Sequence, residues 1–546
     1  MASEKRQAAV GQAEAALHNQ YNLLPRSKLV VCFLTLSITL IVAFLDQNGI
    51  GITLPTIATD FNAADSISWA GTTSLVANTT FQMLYGRLSD IFGRKSVYLL
   101  AIACLSLADL LCGLSTSSAM FYVSRGLAGI GSGGIINLSL IILSDVVTLE
   151  QRGKYMGILA AVMGLGNVSG PFLAGAFVQH ATWRAFFYML APLGAASGVV
   201  AYFYLPGNPP TLEFRESAKK VDYLGTLTLS LGIIFLLLPI SGGGAYFAWN
   251  SPMVISMLII GTLSLTLFVI VEWRVAKLPV MPVTIFDNLA VSVTLLQTFL
   301  FGAVHQASIY FLPMYLLNVR QFSQLQSAAI LAASSLSQSL ASTGSGFYVS
   351  HFKRYGEVII FGFSLWLIGI GLFLTYNRTS SPGQIIGPFL AAGFGCGCAF
   401  QPTVQALQAH SPRSRRAVII SNRNFFRCAG GAVGLAATAA VMQATLRDNL
   451  PPGWQRLADN TYALPSDVGH GPEVDGVYDA YMMASRAAFI MWLPMMGLCL
   501  LGCVFVRDRG LNPPEEKTTD MVQDEALTDQ VPVSDTEMGS TRKIEQ

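Results

Sequence analysis

A chain of 546 residues with 52% hydrophobic and only 12% charged side chains, and a mean hydropathy of +0.52, lies outside the range of soluble globular domains, of which about a quarter is charged. Its net charge of +2 comes with no basic patch interleaved with aromatics, so nucleic-acid binding has no support. The eight cysteines all fall within or at the edge of apolar segments and show no metal spacing, so no disulfide, metal or other cofactor is expected.

In chain order, the polar stretch Met1–Lys28 predicts a tail, because the apolar run after it is too long for a cleaved signal peptide. Apolar stretches of roughly 20 residues, the length that crosses a bilayer, then recur to Val506. They predict fourteen spans near 29–55, 68–88, 96–115, 119–146, 154–178, 185–206, 223–243, 251–273, 289–317, 324–350, 356–376, 383–409, 417–445 and 484–506. Each has to be helical, since backbone amides in hydrocarbon pair only within their own segment. The fold class is therefore an all-α integral membrane protein. The segment 446–482, with its Pro, Gly and Asp residues, predicts an external loop, and Pro513–Gln546 has the composition of a disordered tail.

Positive residues remain cytosolic during insertion. One set of loops holds Arg87, Arg94, Lys95, Arg152, Lys154, Arg215, Lys219, Lys220, Arg274, Lys277, Lys353, Arg354, Arg413, Arg415 and Arg416; the opposite set holds little beyond Arg184, Arg320, Arg378, Arg447 and Arg456. An even number of spans then leaves both tails in the cytosol, in agreement with Lys5, Arg6, Arg507 and Arg509. Asn377, in the sequon Asn377-Arg-Thr, falls outside and is a candidate glycosylation site.

Ionisable groups at membrane depth are costly, so each is a functional candidate. Asp46 lies deep in the first span, where burial disfavours its charged form and allows a proton to be taken up and released. The alternative is a permanently protonated or paired structural Asp. Asp109 in the third span is a second such acid, with no partner on its own helix. Arg125 opens the fourth span ahead of Gly126, Gly129, Gly131, Gly133 and Gly134, placing a fixed cation where helices approach closely; it either acts on a nearby acid or reaches to a water boundary. His305 and Gln306 interrupt the ninth span near Tyr310, as ligand contacts or as groups satisfied by neighbours. Gln82, Asn137, Asn167, Gln401 and Gln405 either line a cavity or bond helix to helix.

Gly86-Arg-Leu-Ser-Asp90-Ile-Phe-Gly93-Arg94-Lys95 between the second and third spans resembles the signature of the major facilitator superfamily. Gly86 and Gly93 allow a tight turn and close helix approach, while Asp90 sits at a helix N-terminus or pairs with a cation. The fifth span, with Gly157, Gly166, Gly170-Pro171 and Gly175, is similar to the antiporter motif of exporters, Ala174 standing where a second Gly is usual. Glycines on one face let helices pack in contact, and Pro171 removes a backbone bond. Leu45-Asp46 through Leu54-Pro55, Arg125, Trp183-Arg184 and Arg423-Asn-Phe-Phe-Arg427-Cys-Ala-Gly430-Gly431 look like the fungal-type fourteen-span drug:proton antiporters. The usual Gln and Leu-Pro of the ninth and tenth spans are missing.

The resemblance implies a major facilitator fold, with six-helix halves at 29–206 and 289–506, two inserted helices within 207–288, and tails at 1–28 and 507–546. It implies a proton-coupled exporter of amphiphilic organic molecules, not an enzyme, working as a monomer in the plasma membrane. Asp46 and Arg125 would couple protons. Gly86, Asp90, Gly93 and Arg94 would latch the cytosolic side, with Asp145, Glu150 and Arg152 as partners. A vacuolar basic amino acid or siderophore carrier is the alternative within transport, and a non-transporting sensor the alternative outside it.

Overall fold

The computed structural model describes residues 25–63, 66–67, 69–206, 221–242, 250–276, 278–412, 415–455, 457, 472–506 and 508–510. The expectations for both tails, for most of the external loop, for Arg215, Lys219, Lys220, Lys277, Arg413, Arg456 and Arg507, and for the side chain of Glu150 lie outside the described residues.

Among the described residues fourteen long helices follow one another, without a strand. They are α1 (Arg26–Asp60), α2 (Trp69–Phe92), α3 (Arg94–Leu114), α4 (Ser118–Val146), α5 (Leu149–His180), α6 (Trp183–Tyr204) and α7 (Tyr223–Gly242). The second seven are α8 (Pro252–Arg274), α9 (Leu289–Met314), α10 (Gln324–Phe352), α11 (Gly356–Phe373), α12 (Pro382–Ala409), α13 (Arg416–Asn449) and α14 (Pro472–Gly502). The starts follow local chemistry. Ser117, Thr148, Thr182 and Ser251 each accept a bond from a first-turn amide, and Ser323 with Gln326 and Ser381 with Gln384 form capping boxes. Gly93, at φ +89°, makes the turn between α2 and α3 that a side chain would strain.

Twelve of the fourteen are long and apolar enough to cross a membrane; α2 and α10 are not among them. Their neighbours explain the difference. α2 packs on α4, α7 and α13 and so faces protein on several sides, while α10 packs on α5 and α12 and leaves Leu336, Leu340 and Phe347 exposed. Asn78, Thr79, Thr80 and Gln82 on α2, and Ser342 and Ser345 on α10, are buried there and need no apolar character.

α1 packs on α5 and α6, α3 on α4 and α6, and α2 on α4, around a core that includes Leu36, Tyr98, Leu138 and Leu159. α9 packs on α13, α11 and α10 on α12, and α14 on α9, α11 and α13, around Phe301, Trp366, Phe389 and Trp492. α7 packs on α8 and also touches α2 and α13. α14 begins at Pro472, well before the expected 484, which shortens the loop expected over 446–482. Val477, Ala480 and Tyr481 pack into the core, and Asp475 and Asp479 hold Arg378 at 2.5 and 3.1 Å, so this first part of the helix is anchored.

Candidate functional site

Three helices bring three ionisable groups together. Asp46 on α1 and Arg125 on α4 form an ion pair, each 1% exposed, and Asp109 on α3, fully buried, interacts electrostatically with both. Asp109 has no partner on its own helix, and its neighbours come from α1 and α4. Asp46 Oδ2, both carboxyl oxygens of Asp109 and Arg125 Nε lack hydrogen-bond partners. Two carboxyl groups and one guanidinium are thus buried together, and an uncompensated buried charge is strongly unfavourable.

A second charged group lies within the N-terminal half, at the end that carries the basic loops. Arg94 lies 2.6 Å from Asp90 and 2.9 Å from Asp145, and its Nη1 also donates to Ser89 Oγ. Asp90 is in the last turn of α2, which resolves its two expected roles in favour of pairing with a cation. Arg152 makes bonds of its own. It donates to Ser144 O and, across to α12, to Gln408 Oε1 at 2.6 Å. A Cβ on Gly86 would meet Ser421 Oγ at 2.3 Å and Ala417 O at 2.8 Å, so this glycine brings α2 against α13.

The glycines of α5 do not share one face. Gly157 packs against Thr343 of α10, whose hydroxyl donates to Gly157 O at 2.9 Å, while Gly166, Gly170 and Gly175 face Phe44, Leu45 and Ile52 of α1. Nine residues separate Gly157 from Gly166, and at about 100° per residue that step turns half a circle. The helix continues through Pro171.

Of the candidate cavity residues, Asn137 is a clasp between the two bundles: it donates to Gln82 O and Ser421 Oγ and accepts from Asn424. Gln82 donates to Asn78 and meets Cys428. His305 stacks on Phe301 and bonds Gln338 at 3.2 Å, and Gln306 lies against Gly431. Gln401 is fully buried with neither amide atom partnered, whereas Tyr310 is 45% exposed and joins none of these contacts. Asn377 is exposed, its side-chain oxygen accepting from Arg486. Asn167 accepts from Asn48, joining α5 to α1. Ser421, Asn424 and Gln338 had not stood out in the sequence; the spacing of three between Ser421 and Asn424 put them on one face of α13 and was the signal available.

The model of the Major Facilitator Superfamily matches residues 36–435. The chain is 44% identical over 526 residues to "Citrate exporter 1" of Yarrowia lipolytica, covering 94% of this chain and 78% of that protein. It is 43% identical over 509 residues to "MFS-type transporter clz4" of Cochliobolus lunatus, covering 93% and 91%. The solved proton:xylose symporter XylE has the same fold at a TM-score of 0.58 with 14% identity, covering 89% of this chain and 98% of that one. The chain is thus a multi-pass membrane transporter and belongs to the major facilitator superfamily.

Proposed function

We propose that the protein exports a small organic molecule in exchange for protons. The cluster of Asp46, Asp109 and Arg125 carries this reading, because two acids on one cation inside a membrane supply a proton site with no other evident use. The basic end of the bundle faces the cytosol and both tails lie there. The halves 29–206 and 289–506 rock about the site between them, with the inserted pair within 207–288 alongside. In this conformation the bonds between halves, Asn137 to Ser421 and Asn424, Arg152 to Gln408 and Thr343 to Gly157, gather towards the basic end. That supports an outward-facing state in which protons enter from outside. Gly86, Asp90, Gly93, Arg94 and Asp145 then hold the cytosolic gate shut. The protein works as a monomer in the plasma membrane, with Asn377 glycosylated.

Inside-out vesicles with an imposed proton gradient and a panel of cargoes test this reading. Asp46→Asn abolishes gradient-driven efflux; undiminished efflux, or indifference to acidity on both faces, overturns it. Two cargo classes compete. The family resemblance favours amphiphilic drugs, toxins or secondary metabolites, while the 44% identical relative named a citrate exporter favours an organic acid. A tagged protein on the vacuole would instead support the vacuolar alternative.

A further inference from the structure

Between Leu289 and Arg447 the sequence holds one carboxylate, Glu357, which sits exposed at the start of α11 and pairs with Arg354. Asp475 and Asp479 hold Arg378. In the other half, Asp46 is committed to Arg125, and Asp90 and Asp145 to Arg94. Among the described residues, then, no carboxylate pairs with Arg423 or Arg427 of α13.

Arg423 is 1% exposed; it donates to Phe400 O at 2.9 Å and Asn424 Oδ1 at 3.1 Å, stacks over the Phe400 ring at 4.6 Å, and keeps its Nε unpartnered. Arg427, half-buried, touches Cys428 Sγ at 3.5 Å and also has a free Nε. One turn apart on one helix, the two cations repel each other. Around them stand His305, which interacts with Arg427, the Gln338 bonded to it, and Phe301, which packs on Phe400. Two guanidinium groups at membrane depth without a counter-charge are costly, and planar forks of this kind match carboxylates two bonds at a time.

Resting on the export reading above, we infer that Arg423 and Arg427 form the binding site for the cargo, an organic anion bearing two or more carboxylates. The chain leaves these two cations without a carboxylate, and the cargo supplies the charge. His305 and Gln338 add polar contacts at the same level, and the Phe301–Phe400 pair provides the apolar wall.

The test is exchange of radiolabelled citrate by the purified full-length protein in liposomes at equal pH on both sides. Wild type exchanges citrate, and neither rhodamine 6G nor inorganic phosphate competes. Arg427→Gln and Arg423→Gln raise the half-saturating citrate concentration about tenfold or more, the loss expected when one partner of a buried charge pair is removed. Arg427→Lys restores part of it. Size-exclusion profiles establish that each variant folds, and Arg427→Gln alone decides if Arg423→Gln does not. Exchange of rhodamine 6G but not citrate by wild type, inhibition by phosphate equal to that by unlabelled citrate, or unchanged exchange in Arg427→Gln would overturn the inference. No proton gradient enters this readout, so a failure of proton coupling leaves it standing.

Discussion

Arg152 on α5 donates to Gln408 Oε1 on α12 at 2.6 Å, joining residues 256 positions apart across the line between the two bundles. Both side chains are buried, Arg152 completely. Hydrogen bonds to charged groups contribute about 1.5–3 kcal/mol. Gln408→Ala therefore loosens the closed basic end, and hydrogen exchange at the adjoining ends of α5 and α12 rises by about tenfold. Unchanged protection there would mean that this bond does not hold the gate.

Asp46 and Asp109 differ in their contacts, so their substitutions separate. Asp46→Asn removes the carboxylate bonded to Arg125, and breaking a buried pair in this way costs about 3–5 kcal/mol, less whatever Asp109 restores. Asp109→Asn leaves that pair intact and removes only the second acid. Thermal unfolding in detergent is expected to show the larger loss for Asp46→Asn, while both variants lose the response of transport to a proton gradient. Equal stability of the two would contradict the pairing.

A methyl group at Gly86 meets Ser421 Oγ at 2.3 Å and a backbone oxygen, Ala417 O, at 2.8 Å. Overpacking of this kind costs about 1–3 kcal/mol. Because the contact joins α2 to α13, Gly86→Ala disfavours the closed basic end and slows turnover several-fold with little change in cargo affinity. A maximal rate equal to wild type would show that α2 gives way at no cost.

Beyond the packing of α7 on α2 and α13, a short segment after α8 adds polar ties between the inserted pair and both halves. Glu272 at the end of α8 accepts from the amides of Val280 and Met281 at 3.0 and 3.2 Å, Arg87 of α2 donates to Pro279 O at 2.7 Å, and Asn422 of α13 donates to Val280 O at 3.4 Å. Glu272→Ala strands two amides at about 1–3 kcal/mol for each unsatisfied group. Limited proteolysis between α8 and α9 is expected to accelerate, and resistance equal to wild type would refute this role.

At the opposite end Asp60 accepts from Trp183 Nε1 at 2.8 Å and from Arg184 at 3.0 Å, which holds its carboxyl below the usual range. With a depressed folded-state value, its contribution is present above the unfolded value of about 3.9 and is lost as pH falls through the lower folded one. Asp60 and Arg184 are 46% and 33% exposed, so screening limits the pair to about 1 kcal/mol or less. Asp60→Asn thus lowers thermal stability slightly at neutral pH and by nothing in strong acid. A difference that grows as pH falls would contradict the assignment.

Hydropathy is a local property, so the long helices and the turn at Gly93 were legible along the chain. α2 shows where that reading thins, since a helix enclosed by protein need not be apolar and its lipid signal weakens. α14 shows the reverse: its first turns carry Asp475 and Asp479 and are held by Arg378 and by packing that no window of sequence contains.

The order of residues by itself determined how many helices would form, where positive charge would gather and that a few acids would lie in oil. Only the tertiary structure decided which of those charges meet. Whether Asp109 finds Asp46, whether Arg152 meets Gln408, and whether Arg423 is left without an acid all depend on how each helix is rotated against its neighbours. Those rotations are set by packing between segments far apart in the chain, so no local pattern records them.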